Sequence, residues 1–234
     1  MGENYIVNEG KNETVTIDGV DYQRLAIKTH VITDKDNICD VAHHYAAEAL
    51  KPGDILFITE KAVACTQKRA IPMSEIHPRP LAKFLCKFVY KNPYGIGLGI
   101  PETMEMALRE CGTLRILFAA GVSAIGKLFG RRGWFYDIAG YKARSIDGPC
   151  SYTLPPYNHY VVLGPAEPDK TAKEISDRLG GFPVAITDIN DLEGQILGTS
   201  SPDMDRGLLV KILKDNPLGQ SLEQTPIGII RAVK

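Results

Sequence analysis

The segment with the clearest chemical potential is Pro183–Gly194, which reads PVAITDINDLEG. Its apolar and β-branched run Val184–Thr187 is typical of a short buried strand. The polar residues that follow are Asp188, Asn190, Asp191 and Glu193. Oxygen ligands crowded this closely repel one another unless a cation lies among them, and a divalent ion is the simplest candidate. Because Asp, Asn and Gly are also the usual turn residues, a solvated acidic turn is the competing interpretation.

Two glycine-containing segments could contact phosphate or substrate. Gly121–Lys127 follows an apolar run and matches the first seven positions of a P-loop, but Leu128 stands where a Ser or Thr should bind magnesium. We therefore do not expect a P-loop, although Lys127 remains a candidate to bind phosphate through its charge. The segment Asn92–Pro101 carries glycines at every second position, which is not the GxGxxG pattern of dinucleotide folds. It is expected either to line a substrate or to allow close backbone packing.

Single residues elsewhere give weaker signals. Asp147 lies in the turn-forming tetrapeptide IDGP and Gln220 in the loop NPLGQSLEQTP, and each alone is an ordinary turn or loop residue. The five cysteines are widely spaced and never form a CxxC pair, which argues against a disulfide framework or a structural zinc site. Cys150, beside the Gly148–Pro149 turn, is kept as an alternative nucleophile.

Hydrophobic periodicity suggests the elements that position these residues. The predicted helices are Ile38–Leu50 (capped by Asp36 or Asn37), Leu81–Tyr90, Glu102–Cys111, Asp169–Leu179 and Asp203–Leu213. The predicted strands are Tyr22–Thr29, Ile55–Thr59, Arg115–Ala120, Trp134–Ile138, Tyr160–Leu163, Val184–Thr187 and Ile227–Val233. Because helices and strands alternate without one uniform period, the pattern favours an α+β fold over a regular doubly wound sheet.

Composition narrows the function classes. The 234 residues suffice for one large or two small domains, and the net charge of −1 gives no broad basic surface for nucleic acid. No apolar run reaches the roughly 18 residues that a membrane-spanning helix needs. The polar N-terminus lacks the apolar core of a signal peptide, so a cytoplasmic protein without membrane or nucleic-acid partners is expected.

Taken in order, the segments resemble the coenzyme F420-0:L-glutamate ligase family, whose members add γ-linked glutamate to a cofactor tail. Lys51–Gln67 resembles the family's N-terminal GDxLxxxxKxVS segment, with Lys61 at its lysine, and Arg69–Pro72 continues it. Ile138–Pro149 resembles the turn that carries the family's first aspartate, here Asp147. Two further matches are Ile186–Gly194, which places Asp188 at the second aspartate, and Gly219–Arg231, which places Gln220 and Glu223 in the C-terminal GQxxE segment.

The resemblance implies a two-lobed α+β fold over residues 1–234, forming a homodimer, and a nucleotide-dependent ligase. By resemblance the metal ligands are Asp147, Asp188 and Gln220, holding two Mg²⁺ or Mn²⁺ ions beside GTP or ATP. Phosphate would be bound by Lys61, Arg69 and Lys127, and Glu193 or Glu223 would help to deprotonate the attacking amine. The partners so implied are the nucleotide, L-glutamate and a carboxylate acceptor, joined through an acyl phosphate.

The chain departs from the family pattern at several positions. Ile189 stands where the family has a Thr, and Ala143–Ser145 replaces its Asn-Ala-Gly. The segments Phe88–Ile100 and Ala119–Trp134 also look atypical. Two alternatives therefore stay open: the same chemistry on another acceptor, such as a folate-like or secondary metabolite, and a non-catalytic nucleotide- or metal-binding relative.

Overall fold

The structure is a computed structural model that describes residues 5–89, 96–131, 133–151, 153–190, 194–219 and 221–233. The chain divides into two compact units. Unit 1 comprises residues 1–68 and 165–234, and unit 2 comprises the continuous segment 69–164.

Unit 1 is built on a mixed sheet. In chain order the strands of the described residues are β1 (Tyr5–Ile6), β2 (Thr14–Ile17), β3 (Val20–Ile27), β4 (Ile55–Thr59), β5 (Ala70–Pro72), β6 (Tyr160–Val162), β7 (Val184–Ile189), β8 (Gly194–Thr199) and β9 (Ile227–Val233). The sheet of unit 1 has the order β1-β3-β9-β4-β7-β8, with β2 also paired to β3. Its pairs are antiparallel except for β4 with β7, which run parallel. In unit 2, β5 and β6 form a separate two-stranded sheet.

The helices of the described residues fall into both units. Unit 1 has α1 (Ile38–Ala46), α2 (Glu60–Thr66), α8 (Pro168–Arg178) and α9 (Arg206–Ile212). Unit 2 has α3 (Pro80–Leu85), α4 (Pro101–Cys111), α5 (Thr113–Leu128), α6 (Trp134–Ala139) and α7 (Tyr141–Arg144), with short 3-10 turns at Met73–Glu75, Cys86–Phe88 and Tyr157–His159. None of the helices in these ranges is long and apolar enough to cross a membrane.

The central strands of unit 1 form its core. Phe57 of β4 is buried in a cluster with Ala185 and Ile230 of the neighbouring strands and with Leu209 of α9. Gly228 of β9 makes room for the Phe57 ring, because a Cβ there would lie 2.4 Å from its Cζ. Burying a phenylalanine in this way contributes about 2 to 3 kcal/mol.

Unit 2 is mainly helical. Its buried cluster includes Leu98, Met104, Leu108, Ile116 and Ile146. Helix α4 begins at Pro101, one residue before the predicted start at Glu102, because proline lacks only an N–H that the first helical turn leaves unpaired. Helix α5 passes without a break through both of its glycines.

Two predicted strands of unit 2 are wrong. Arg115–Ala120 lies inside α5, and Trp134–Ile138 lies inside α6. A short apolar run does not distinguish a strand from a buried helical turn, and the aromatic residues of the second run favour strand by propensity alone. Packing decides for helix: the Trp134 ring lies against Gly126, where a Cβ would come within 2.8 Å of it.

The predictions for unit 1 agree better with the structure. Strands β4 and β9 have the predicted bounds, and α1 begins after Asn37, whose side chain accepts from the backbone N–H groups of Cys39 and Asp40. The mixed sheet with flanking helices is consistent with the α+β expectation. The predicted helix Leu81–Tyr90 is shorter, being α3 followed by a 3-10 turn to Phe88, and Tyr90 lies outside the described residues. That residues 1–234 form a single ligase domain stays a prediction.

Candidate functional site

Three of the predicted site segments meet at one edge of the unit 1 sheet. Because β4 is parallel to β7 and antiparallel to β9, the carboxyl ends of β4 and β7 lie beside the amino end of β9. Thr59 is paired with Thr187, and its N–H donates to the carbonyl of Pro226 at 2.9 Å. The residues that directly follow β4, end β7 and precede β9 are therefore neighbours.

Helix α2 starts at this edge and carries Lys61. Lys61 is exposed in the first turn of the helix. Glu60, the residue before it, is only 6% exposed. Glu60 was not among the predicted site residues. Its sequence pattern is nevertheless the one that singled out Asp188, because both acids directly follow an apolar run predicted to be a buried strand.

Asp188 belongs to strand β7 rather than to the loop that follows it, which corrects the sequence interpretation. It is half-buried and pairs with Gln195 of β8. The next residue, Ile189, packs against the apolar cluster of unit 1. Because side chains alternate along a strand, Asp188 faces the other side of the sheet. Ile189, which replaces the family's Thr, thus packs in the core of unit 1. Asp191 and Glu193 lie outside the described residues.

The loop before β9 carries Glu223, which holds the loop's own backbone. One Glu223 carboxylate oxygen accepts a hydrogen bond from the N–H of Ser221 at 2.7 Å. The same side chain lies over Gly219, whose φ is +73° and where a Cβ would come within 2.5 Å of the Glu223 carboxyl carbon. Glu223 thereby holds the backbone at Gly219 and Ser221, and Gln220 lies outside the described part of the chain. A role for Glu223 in proton transfer stays a prediction.

A buried amide far away in sequence supports the same loop. Asn8, 6% exposed, donates through its side chain to the carbonyl of Pro217 and to the hydroxyl of Thr225, both at 2.9 Å. The Thr225 hydroxyl in turn donates to the carbonyl of Leu218 at 2.7 Å. The backbone on both sides of Gln220 is therefore fixed by buried hydrogen bonds, which no sequence pattern predicts.

Asp147 lies in unit 2, in a turn that the backbone anchors. Its N–H and C=O both bond to Val162, at 2.8 and 2.9 Å. The following Gly148 packs against Ile96 and Thr103, where a Cβ would have neighbours at 3.2 Å. Ile96, at the described end of the glycine-rich segment, thus contacts the Asp147 turn. Whether the glycines themselves line a substrate or allow close backbone packing stays a prediction.

The two other predicted phosphate-binding residues are engaged within unit 2. Arg69 forms an ion pair with Glu110 at 2.6 Å and donates to the carbonyl of Gly164 at 2.5 Å. Lys127 is exposed and donates to the carbonyl of Phe88 at 3.0 Å. Residues 121–127 are helical, so they form no P-loop, as the sequence predicts. Neither contact supports phosphate binding, so the phosphate-binding roles of Arg69 and Lys127 stay predictions.

A tyrosine of unit 2 packs against the glycine-rich segment. The Tyr136 hydroxyl would lie 3.3 Å from a Cβ at Gly97. Burial raises the pKa of Tyr136, and a hydrogen bond with the Leu98 backbone partly offsets that rise. The hydroxyl therefore stays protonated at neutral pH and serves packing.

The chemistry of the donors at the unit 1 edge suits a hard cation. Carboxylate and amide oxygens are present at Glu60, Asp188 and Asn190, which are the ligand types that Mg²⁺ and Mn²⁺ prefer. Among the described residues, however, no group of three His, Cys, Asp or Glu side chains is placed to hold a metal ion. A metal ion at this edge would therefore also need the amide of Asn190, or ligands from residues outside the described ranges.

The mixed sheet with its flanking helices is consistent with the α+β class. A model of the F420-0:Gamma-glutamyl ligase family matches residues 26–202. The chain therefore belongs to this family, as the ordered motifs predict.

A relative gives a more distant match. The coenzyme F420:L-glutamate ligase of Methanopyrus kandleri is 28% identical over 141 residues, which are 60% of this chain. The match spans 47% of that protein, about half of its length. The family match includes Lys61, Asp147 and Asp188 but ends before Gly219–Arg231, so the resemblance at Gln220 and Glu223 has only the residues themselves to support it.

Proposed function

We propose that this chain is a ligase that forms a γ-glutamyl amide, using GTP or ATP and divalent metal ions. Family membership supports the ligase class, and one observation supports the site. The Lys61 segment, Asp188 and the Glu223 loop lie at the same edge of the unit 1 sheet. Loops at the ends of rigid strands are where proteins often place binding and catalytic residues, which supports a functional site at this edge.

The proposed reaction has two steps. The acceptor carboxylate attacks the terminal phosphoryl group of the nucleoside triphosphate. The nucleoside diphosphate leaves, and the acceptor becomes an acyl phosphate. The glutamate amine then attacks the acyl carbon, phosphate departs, and the amine proton passes to a base or to water. Lys61, exposed at the start of α2, is proposed to neutralise phosphate charge, since phosphoryl transfer depends mainly on electrostatic stabilisation.

A bound divalent ion would neutralise and align the terminal phosphates. The proposed ligands, as the family resemblance implies, are Asp147, Asp188 and Gln220. Glu193 and Glu223 are the proposed bases for the amine. Because Glu223 already accepts a hydrogen bond from Ser221, its effect on the reaction is expected to be mainly the positioning of the loop.

The acceptor is the part of the proposal that the departures from the family pattern affect most. Folate-like or secondary-metabolite carboxylates are the alternatives to an F420 precursor. A non-catalytic binding protein is the second candidate, and the apolar Ile189 is the observation that favours it.

The decisive variant is Asp188→Asn, which keeps shape and removes charge. We expect metal-dependent nucleotide binding to weaken by about tenfold or more, because a carboxylate ligand becomes a neutral amide. Calorimetric titration of GTP and ATP, with and without Mn²⁺, measures this effect. Unchanged metal-dependent binding in the variant would remove Asp188 from the site.

Asp18→Asn is the matched control. Asp18 lies in the turn between β2 and β3, at the sheet end opposite to Asp188, with φ +51°, a conformation that asparagine also adopts readily. We expect wild-type binding in this variant. Phosphate release with glutamate and a panel of carboxylates then separates the ligase from a binding protein: binding without turnover across the panel would favour the latter.

A further inference from the structure

The two-stranded sheet of unit 2 has one face in the core and a second face turned away from it. Val161 of β6 and its partner Ile71 of β5 both pack in the buried cluster of unit 2. Ile146, which precedes the bridge between Asp147 and Val162, packs there as well. Because side chains alternate along a strand, the residues next to these point to the opposite face. This second face comprises Ala70, Pro72, Asp147, Tyr160 and Val162.

Asp147 and Tyr160 are diagonal neighbours on the second face. Asp147 lies opposite Val162, with backbone hydrogen bonds of 2.8 and 2.9 Å in the two directions. Tyr160 lies two residues before Val162 on β6. Diagonal neighbours of an antiparallel pair are about 7 to 8 Å apart, a distance that an aromatic side chain can span. A ligand group held at Asp147 would therefore lie beside Tyr160.

The Tyr160 ring is held by a neighbour and remains partly exposed. Tyr157 packs against it edge to face, with ring centroids 5.2 Å apart, and both tyrosines are half-buried. Within the described ranges, the Tyr160 hydroxyl has no hydrogen-bond partner, so the ring is placed by packing alone. A tyrosine has few rotatable bonds, and a ring already held by packing loses little conformational freedom when a planar ligand stacks on it.

The rest of the second face is small and apolar. Pro72 pairs with Tyr160, and Ala70 pairs with Val162. Val162 is buried, whereas Ala70, Pro72 and Asp147 are half-buried around it. The face thus combines one carboxylate, a small apolar surface and one aromatic ring. This combination suits a ligand whose polar group lies at Asp147 and whose planar part lies on Tyr160.

Two ligands of the proposed reaction can carry a planar group, the acceptor and the nucleotide. The base of a nucleoside triphosphate is separated from its terminal phosphoryl group by a sugar and two further phosphates. The acceptor carboxylate, in contrast, is itself a reacting group at the metal ions that Asp147 is proposed to hold. The part of the acceptor next to its carboxylate is therefore the part that lies within the diagonal distance of Tyr160.

We propose that Tyr160 is a specificity-determining residue for the acceptor, and that a planar aromatic group of the acceptor stacks on its ring beside Asp147. The inference rests on the proposed function, because it takes the reacting carboxylate to lie at Asp147. It adds a choice among acceptors to that function: a flat aromatic carboxylate binds more tightly than a saturated one of the same carbon skeleton. Tyr157 supports the Tyr160 ring.

Matched probes that differ only in aromaticity test this assignment. Naphthoate is planar, and decahydronaphthoate has the same carbon skeleton without aromatic faces. Calorimetric titration in the presence of Mn²⁺ is expected to show about tenfold tighter binding of naphthoate to the wild type, because only this probe can stack. Tyr160→Leu should abolish the preference, whereas Tyr160→Phe, which keeps the ring, should retain it. Circular dichroism checks the fold of each variant.

Phe84→Leu is the matched control, because it opens another edge-to-face pair of unit 2, Phe84 with Phe88, whose ring centroids are 5.0 Å apart. The two rings lie on α3 and on the 3-10 turn after it, outside the ladder that joins β5, β6 and Asp147. This variant is expected to keep the preference for naphthoate. The assignment is overturned if the wild type binds both probes equally, if Tyr160→Leu keeps the preference, or if Phe84→Leu loses it.

Fluorine NMR of the fluorotyrosine-labelled protein tests the contact without a variant that could fail to fold. Naphthoate should shift the signal of Tyr160, which Tyr160→Phe assigns by its disappearance. A Tyr160 signal that does not move at saturating naphthoate would also overturn the assignment.

Kinetic measurements separate this inference from the proposed function. In phosphate-release assays with glutamate, Tyr160→Leu should raise the KM for aromatic acceptors about tenfold and leave the KM for glutamate and the affinity for GTP unchanged, which a general structural defect would not do. Weaker GTP binding in this variant would assign the ring to the nucleotide base instead. A Tyr160-dependent preference without any phosphate release supports the inference and contradicts the ligase function, whereas phosphate release with acceptor KM values that do not depend on Tyr160 does the opposite.

Discussion

The two units are stabilised in different ways. Unit 1 joins distant segments through strand ladders and a core on the faces of its sheet, with Phe57 at the centre of one cluster. Unit 2 is a continuous segment of short helices, and a buried carboxylate, Glu105, links two of its arginines. Unit 1 buries ion-paired groups as well, Asp54 beside Arg231 and Arg24 beside Asp215. The difference between the units therefore lies in how they are assembled, by ladders between distant strands in unit 1 and by consecutive helices in unit 2.

The largest expected effect is in unit 1. Phe57→Ala leaves a cavity facing Gly228 that the strand backbones cannot fill, and we expect a loss of about 3 to 5 kcal/mol in the free energy of unfolding. Denaturation followed by circular dichroism reports the whole chain, whereas fluorescence of the single tryptophan, Trp134, reports unit 2. The dichroism transition should shift while the fluorescence transition stays. Equal shifts in both would contradict the contrast between the units.

The next effect belongs to Glu105, whose side chain is 2% exposed. Burial alone would raise the pKa of this carboxyl, but hydrogen bonds from the Arg79 backbone and from the Arg109 and Arg79 side chains bring it below its usual value of 4.5. A carboxyl whose pKa is lowered by folding stabilises the protein above its unfolded pKa. That contribution disappears as the pH falls from about 4.5 through the folded pKa.

Glu105→Gln is therefore expected to cost about 2 kcal/mol at neutral pH, since it removes charged hydrogen bonds to arginines that remain half-exposed. The variant should also lose much of the acid dependence of the Trp134 transition. Unfolding titrations at neutral pH and below pH 4.5 check both points. A wild-type pH profile in the variant would show that Glu105 does not carry the acid sensitivity of unit 2.

The smallest effect concerns a second contrast, within unit 1, between its core and its site edge. Asn8→Ala removes two buried hydrogen bonds from the loop around Gln220 and should cost about 1 to 2 kcal/mol of stability. Metal-dependent nucleotide binding should weaken several-fold as well. Gln23→Ala is the comparison, because it removes an exposed hydrogen bond from Gln23 on β3 to the side chain of Glu13. If both variants bind alike, the loop does not need its buried support.

The same contrast explains what the sequence could predict. Strands β4 and β9 are short apolar runs bounded by polar or turn residues, and their predicted bounds agree with the structure. Strand β8 was missed because its sequence, GQILGT, has two glycines and little β-branching, so its pairing with β7 decides its conformation. Helix α5 was misread because apolar residues on both of its sides conceal the 3.6-residue period.

The site divides in a similar way. The apolar run before Asp188 predicts that it lies at the end of a buried strand, and the structure places it there. The choice of Lys61 came from the family resemblance, and the site roles of both residues stay predictions. The support of the loop by Asn8 was not predictable, because the contact joins residues 217 positions apart. The packing of Glu223 on Gly219 depends on a positive φ that the sequence permits but does not require.

The position of β9 in the sheet has a consequence for the order in which the chain can fold. This strand comes last in sequence, yet it lies between β3 and β4 and forms ladders with both. During synthesis, none of the other described strands joins β3 to β4 before β9 has emerged, whereas the segment 69–164 is already complete. The loop before β9, which carries Glu223, can therefore join Lys61 and Asp188 at this edge only after β9 has been translated.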